Sequence, residues 1–132
     1  MTNEVPIHRV LVVEDDATIR RLIEKLLGRL GMIVDIAPDG LVAIERLSER
    51  RYSTIVLDLM VPELNGFEII DAIRKMKITT PVAVVSAVSQ QALTRLDLDI
   101  VKVVITKPFD VDEFTHAIQA LCLDDVANQQ SV

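Results

Sequence analysis

Short stretches rich in aliphatic residues recur five times along this chain; those at 10–13 and 55–57 are unbroken, and two others are interrupted by Asp35 and Lys102. A strand that is covered on both faces has this pattern, as in a parallel sheet, whereas a half-exposed strand alternates apolar and polar residues. The stretches therefore predict five strands, of which those at 10–13 and 55–57 are expected to be buried on both faces. They cover residues 10–13, 33–37, 55–57, 82–86 and 101–105.

Between these runs the apolar positions lie three or four residues apart, which is the spacing of one helix face. The clearest case is the segment 19–30, and weaker or shorter patterns follow. Further helices are predicted at 41–50, 67–77, 89–99 and 111–121. Strict alternation of strands and helices predicts an α/β fold with a five-stranded parallel sheet and helices on both faces.

The length of 132 residues suits one domain. We expect a short N-terminal lead at 1–7, a single domain at 8–123 and a polar C-terminal tail at 124–132. The start shows no secretory signal pattern, and no apolar run approaches the roughly 20 residues that span a bilayer. The single cysteine, Cys122, cannot form an internal disulfide and is predicted to be a small core residue. A cytoplasmic location is expected.

The net charge is −6 and the isoelectric point is near 4.8. Proteins that bind the phosphate backbone of nucleic acids do so through clustered Lys and Arg. We therefore expect no direct nucleic-acid binding by this chain, and no membrane contact.

Polar residues stand where four of the five predicted strands end: Glu14, Asp15, Asp58, Ser86 and Lys107. In a parallel sheet these ends meet at one edge, which is where open α/β sheets place their chemistry. Clustered carboxylates repel one another unless a cation intervenes, and their oxygens suit a hard ion such as Mg²⁺. The pattern predicts a divalent-cation site.

Asp58 is the centre of this group because the chain must turn away directly after it. Pro62 cannot continue a strand ladder, and Asn65-Gly66 is a turn dipeptide. Asp16, by contrast, is predicted to cap the first helix rather than to bind a ligand.

Four motifs together resemble the receiver domain of two-component response regulators. They are Val12-Val-Glu14-Asp15-Asp16, Asp58-Leu-Met-Val-Pro62-Glu-Leu-Asn65-Gly66, Val85-Ser86-Ala87 and Lys107-Pro108-Phe109. The resemblance covers residues 8 to about 123 and implies a flavodoxin-like, doubly wound sheet with strand order 2-1-3-4-5.

The resemblance also implies a chemistry. Asp58 corresponds to the phosphoacceptor, which takes a phosphoryl group from a histidine kinase or a phosphotransfer protein. Ser86 corresponds to the hydroxyl that hydrogen-bonds this group. Lys107 corresponds to the lysine that pairs with it, and the bond to Pro108 is expected to be cis.

The same comparison implies a magnesium site. Glu14, Asp15 and Asp58 correspond to the acidic ligands, and the backbone carbonyl of Met60 corresponds to a further one. Mn²⁺ is expected to substitute for Mg²⁺. His8 and His116 lack a partner spacing, so the phosphodonor is expected to be another protein.

Some positions depart from the family pattern. Val104 replaces a residue that is usually aromatic, and segment 98–101 differs from the usual sequence. Any signal is therefore expected to travel through the loop after Ser86 and the helix at 89–99. The resemblance implies that a downstream protein binds the face formed by 89–105 and 111–123. Met60 and Val88 correspond to the two positions that tune hydrolysis of the phosphoryl group in the family. Neither side chain can hydrogen-bond an attacking water, so slow loss of the phosphoryl group is expected.

The sequence leaves three other functions to compare with this one. An aspartyl phosphatase of the haloacid-dehalogenase type needs a second Asp where Met60 stands, and a flavin binder needs a phosphate-cradling loop where three acids stand. The serious alternative is a receiver-like module that docks partners without phosphorylation.

Overall fold

The computed structural model describes residues 7–87 and 89–130, with side chains described as far as Asp124. Five parallel strands form one sheet in the order β2-β1-β3-β4-β5, which confirms the predicted fold. The elements are β1 (Arg9–Val13), α1 (Ala17–Arg29), β2 (Ile33–Ala37), α2 (Gly40–Glu49), β3 (Thr54–Leu57), α3 (Gly66–Lys75), β4 (Val82–Ser86), α4 (Gln90–Leu93), β5 (Val101–Thr106) and α5 (Val111–Gln130).

The core has two layers because successive strand residues point to opposite faces of the sheet. In β1, Leu11 and Val13 belong to the layer that includes residues of α2 and α3, while Val10 and Val12 belong to the layer that includes residues of α1 and α5. Burying one such side chain is worth roughly 1.5–3 kcal/mol. Both faces of the central strands are therefore apolar, which explains their unalternating sequence.

The strand register decides which residues leave the sheet together. Val13 lies opposite Leu57 in the pairing of β1 with β3, so Glu14 and Asp58 emerge side by side. Ser86 is the last paired residue of β4 and lies opposite Thr106, so Lys107 follows directly beside it. The sheet itself brings the polar strand ends to one edge.

The fourth helix is shorter than the sequence pattern predicts. The prediction of a helix at 89–99 is wrong beyond residue 93, because the chain then changes to shorter-range bonds. The amides of Arg95 and Leu96 donate to carbonyls three residues back, and the Asp97 carboxylate accepts from the Asp99 amide. Such local Asx bonds compete with helix formation.

The last helix is longer than predicted. It continues past Asp124, where we expected the polar tail to begin, and ends at Gln130. Most of the N-terminal lead, residues 1–6, lies outside the described residues, and Ile7 is exposed. In the described parts of the chain, no helix is both long and apolar enough to cross a membrane.

Candidate functional site

Polar side chains from four strand ends meet at the carboxyl edge of the sheet. Glu14 follows β1, Asp58 follows β3, Ser86 ends β4, and Lys107 lies one residue beyond β5. The first three are buried. Since buried polar groups must find partners, the contacts among these side chains determine the geometry of the site.

Lys107 bridges the two buried carboxylates. Its Nζ donates to Glu14 Oε1 at 2.8 Å and Oε2 at 3.1 Å, and to Asp58 Oδ2 at 2.9 Å. The other oxygen of Asp58, Oδ1, accepts from the Ser86 hydroxyl and from the Met60 amide, both at 3.0 Å. Both oxygens of Asp58 are therefore held in fixed positions.

The environment gives the two carboxylates different protonation behaviour. Burial, with the hydrogen bond to Asp58, raises the pKa of Glu14 to about 7. Burial also acts to raise the pKa of Asp58, but hydrogen bonds with Glu14, the Met60 amide and Lys107 outweigh it and lower that pKa below its ordinary value. The arrangement favours an ionised Asp58 beside a Glu14 that takes up a proton near neutral pH.

Lys107 stays charged in this environment. Burial lowers the pKa of its ammonium group, but the hydrogen bonds to Glu14 and Asp58 more than compensate, and the pKa lies above its ordinary value. The site thus holds one permanent positive charge next to the carboxylate at its centre.

The acidic side chains can also hold a metal ion. Glu14, Asp15 and Asp58 each offer a carboxylate oxygen, and these oxygens lie within 4.8 Å of one another. Asp15 is exposed whereas the other two are buried, so the cluster opens to solvent on one side. Three carboxylate oxygens that solvent can reach on one side are a donor set that suits Mg²⁺. For Met60, the amide is the contact observed at Asp58, and the role of its carbonyl stays a prediction.

Backbone bonds beyond the strands fix the residues of the site. The Glu14 amide donates to Ala37 O at 3.1 Å, the Asp58 amide to Val13 O at 3.0 Å, and the Lys107 amide to Ser86 O at 3.1 Å. The Lys107–Pro108 bond is cis, as expected.

The turn after Asp58 depends on its glycine. A Cβ on Gly66 would lie 2.5 Å from the Leu59 Cα and 3.1 Å from the Asp58 carbonyl oxygen. Asn65 caps α3 in a capping box with Glu68. The Asn-Gly pair therefore packs the start of α3 closely against the chain that carries Asp58.

Asp16 caps α1, as predicted: its Oδ1 accepts from the amides of Thr18 and Ile19 at 2.9 and 3.1 Å. Of the two histidines, His8 contacts Ser53 at the opposite edge of the sheet and His116 is exposed on α5. Val104 lies on β5 and is 36% exposed. Val88 lies outside the described residues.

One residue beside the site has no counterpart among the sequence predictions. Arg20, on α1, donates through Nη1 to the carbonyl oxygens of Glu14 at 3.2 Å and Asp15 at 3.4 Å. Its neighbour Arg21 is exposed. The sequence alone does not distinguish the two arginines. The orientation of α1 determines which of them reaches back to the loop that carries Glu14 and Asp15.

A parallel sheet of this order, with acids, a hydroxyl and a lysine gathered around one buried aspartate, defines a receiver-type α/β domain. The model of the response regulator receiver domain matches residues 10–119. The chain belongs to this family.

Known proteins agree with this assignment. Response regulator ArlR of Staphylococcus epidermidis is 37% identical over 113 residues, which are 85% of this chain and 51% of that relative. The chain thus spans about half the length of the curated relatives it matches. Among solved structures, the receiver domain of Francisella response regulator 1452 is 30% identical, with a TM-score of 0.83, over 89% of this chain and 98% of that one.

A second solved structure bears on the metal. The receiver domain of sensor histidine kinase PA1611 from Pseudomonas aeruginosa PAO1 is described with a magnesium ion coordinated in its active-site cleft. It is 26% identical to this chain, with a TM-score of 0.80, over 89% of this chain and 98% of that one.

Proposed function

We propose that this chain accepts a phosphoryl group on Asp58 from the phosphohistidine of a histidine kinase or a phosphotransfer protein, and signals by a change in partner binding. The observation that carries the proposal is the setting of Asp58, which is only 6% exposed and is held at both oxygens by Ser86, the Met60 amide and Lys107. A carboxylate fixed in this way is an oriented nucleophile.

In the transfer step, an oxygen of Asp58 forms a bond to phosphorus while the bond from phosphorus to the donor imidazole nitrogen breaks. The imidazole keeps that electron pair and takes up a proton. Lys107 and Ser86 lie against Asp58 and can turn their donors toward the phosphoryl oxygens as charge builds there.

Glu14, Asp15 and Asp58 would hold the metal ion, with the Met60 carbonyl as a further ligand. When bound, such an ion neutralises charge on the phosphoryl oxygens. We propose Mg²⁺ as the physiological ion, and we expect Mn²⁺ to substitute because it also prefers oxygen ligands.

The test is incubation with an acyl phosphate and Mg²⁺, followed by intact-mass measurement. We expect a gain of one phosphoryl group in the wild-type protein and none in Asp58→Asn. Asp16→Asn is the matched control: it makes the same change in a neighbouring acid, and it should keep the gain because Asn caps a helix as well as Asp. A phosphoryl gain in Asp58→Asn would contradict the assignment.

Following the same mass over time measures how long the phosphoryl group lasts. The Met60 side chain is 68% exposed and offers no donor or acceptor strong enough to orient a water molecule. We therefore propose slow self-dephosphorylation, and a lifetime of seconds would contradict it.

The alternative function is a module that docks partners without phosphorylation. It is favoured by Val104, which has no ring to move between the surface and the interior. Absence of any phosphoryl gain in the wild-type protein, together with retained partner binding by Asp58→Asn, would support this alternative.

We further propose that the downstream partner is a protein that binds the face formed by 89–105 and 111–123, where Leu98 and Val111 are exposed. We infer a cytoplasmic location, where histidine kinases present their phosphoryl groups. The net charge of −6 supports the expectation that this chain does not bind nucleic acid directly.

A further inference from the structure

Two hydrogen bonds tie Arg20 to the loop that carries Glu14 and Asp15. One nitrogen, Nη1, reaches both carbonyl oxygens, at 3.2 Å and 3.4 Å, although Arg20 lies five to six residues further along the chain. Arg20 is partly buried, and its own amide donates to Asp16 O at 2.9 Å in the first turn of α1. The side chain thus folds back from the helix over the loop before it.

The loop needs such a restraint because of Asp15. Its carboxylate is exposed, and the structure gives it no hydrogen bond or ion pair with any of the described residues. Its position is therefore set by the backbone. That backbone is fixed at one end by the bond from the Glu14 amide to Ala37 O and at the other by the Asp16 cap. Arg20 holds the two carbonyls in between.

We propose that Arg20 is a positioning residue for the divalent-cation site: by holding the carbonyls of Glu14 and Asp15, it keeps the Asp15 carboxylate in place to bind the ion. This inference rests on the proposed function, because it requires that Glu14, Asp15 and Asp58 bind a cation. Groups that orient metal ligands through a second layer of hydrogen bonds typically change metal affinity by about 10- to 100-fold.

The charge of Arg20 has an opposing effect. The guanidinium is a positive charge near the cation site, so it also repels the ion, and removing it could tighten binding. Repulsion acts through charge alone and would be preserved by lysine. Positioning acts through the fork of N–H donors, which lysine reproduces poorly. The two effects therefore differ in the order of affinities that they predict.

The experiment measures Mg²⁺ binding by calorimetry for the wild-type protein, Arg20→Ala, Arg20→Lys and Arg21→Ala. We expect Arg20→Ala to weaken Mg²⁺ binding about 10-fold and Arg20→Lys to fall between it and the wild type. Arg21→Ala, which removes the same charge from the adjacent exposed position, should stay within about twofold of the wild type, since screening is strong at the surface.

Two further readouts separate positioning from a merely structural role. The thermal midpoint without Mg²⁺ should be nearly the same in Arg20→Ala and Arg21→Ala. The phosphorylation rate of Arg20→Ala with an acyl phosphate should return to the wild-type value at saturating Mg²⁺, because the reacting groups are unchanged. If Arg20→Ala does not fold, Arg20→Lys decides the question by the same measurements.

The outcomes have distinct meanings. Unchanged or tighter Mg²⁺ binding by Arg20→Ala, with normal binding by the wild type, overturns the positioning role and leaves the proposed function intact. If the wild type itself binds no Mg²⁺, the metal requirement of the proposed function is wrong, and the role of Arg20 falls with it.

Discussion

Two loops leave the carboxyl edge of the sheet from neighbouring strands, and they are held in different ways. The acceptor loop, residues 58–66, follows β3 and is fixed from inside: Leu59 and Val61 are buried, and the Gly66 amide donates to Leu59 O at 3.0 Å. The α4 segment, residues 89–100, follows β4 and contains a helix of only four residues.

The α4 segment is held by charged groups at the surface as well as by Leu93, Leu96 and Ile100, of which only Leu96 is fully buried in the core. Arg74 of α3 forms ion pairs with Asp97 and Asp99, the second at 3.9 Å, and the Arg95 guanidinium lies 4.9 Å from the centre of the Phe67 ring. Of its apolar side chains, Leu96 is buried while Leu98 is 73% exposed. Exposed ion pairs contribute little to stability, typically 0–1 kcal/mol each.

This difference suggests a division of roles. Regions with few buried apolar contacts open locally at low cost, and switching elements are drawn from them. We propose that the acceptor loop keeps Asp58 in place, whereas the α4 segment changes its arrangement together with Ser86. Since Val104 cannot provide a moving ring, we expect the α4 segment to carry the signal.

The largest effect is expected from Gly66→Ala in the acceptor loop. The new Cβ would meet the Leu59 Cα at 2.5 Å and so would force backbone to move. We expect a loss of about 3 kcal/mol in the free energy of unfolding, at the upper end for overpacking. Urea unfolding provides the measurement.

Gly28→Ala is the control for this change. Gly28 lies inside α1, and a Cβ there has no atom within 4 Å. Replacing a glycine inside a helix by alanine should stabilise the protein by about 0.5–1 kcal/mol. Similar losses in both variants would show that the acceptor loop is not closely packed at Gly66.

A smaller effect is expected from Lys107→Met, which leaves the carboxylates of Glu14 and Asp58 without their shared cation. Removing one partner of a buried ion pair typically costs 3–5 kcal/mol. We expect about 2 kcal/mol here, because Glu14 can take up a proton and so reduce the repulsion. The measurement is urea unfolding without a divalent cation.

Mg²⁺ should then recover part of this loss, because an ion that binds only the folded state stabilises it by mass action. Lys102→Met is the control, since Lys102 is exposed on β5, the strand that leads to Lys107. If Mg²⁺ raises the stability of neither the wild type nor Lys107→Met, the acidic cluster is not a cation site.

The sequence predicted the acceptor side of this comparison better than the α4 side. The pattern of apolar residues predicts the buried strands and the amphipathic helices. The parallel sheet that they form then brings Glu14, Asp58, Ser86 and Lys107 to one edge. That step needs only the order of the elements. The bridge from Lys107 to both Glu14 and Asp58 could not be predicted, because it depends on distances between three different strands.

The prediction of a helix over the whole of 89–99 was wrong for a local reason. Leu93 and Leu96 fit a helical spacing, but the turn made by Asp97 competes with the helix. Which of the two conformations forms depends on contacts from α3. The position of Arg20 is a similar case. Single side chains at helix ends are set by tertiary geometry that apolar periodicity does not record.

The smallest effect, and the most specific to this comparison, is expected from Arg74→Ala. It removes both ion pairs with Asp97 and Asp99, so the α4 segment should open more often while the rest of the fold is almost unchanged. We expect a loss of at most about 1 kcal/mol, seen as amide hydrogen exchange up to about fivefold faster in peptides from residues 89–100. Peptides that cover the acceptor loop should exchange at the wild-type rate.

Lys75→Ala tests whether this effect is local to the pairing of α3 with the α4 segment. Lys75 is adjacent to Arg74, but its ion pair, with Asp71 at 3.1 Å, lies within α3 itself. Loss of this pair should leave amide exchange at 89–100 unchanged.

High salt should reproduce the Arg74→Ala effect in the wild type, because it screens exposed pairs and leaves buried contacts nearly intact. Equal exchange rates in the two variants, or equal acceleration of exchange by salt in the acceptor loop and the α4 segment, would show that charge does not hold the α4 segment. The contrast with the acceptor loop would then come from Leu96 and its apolar neighbours.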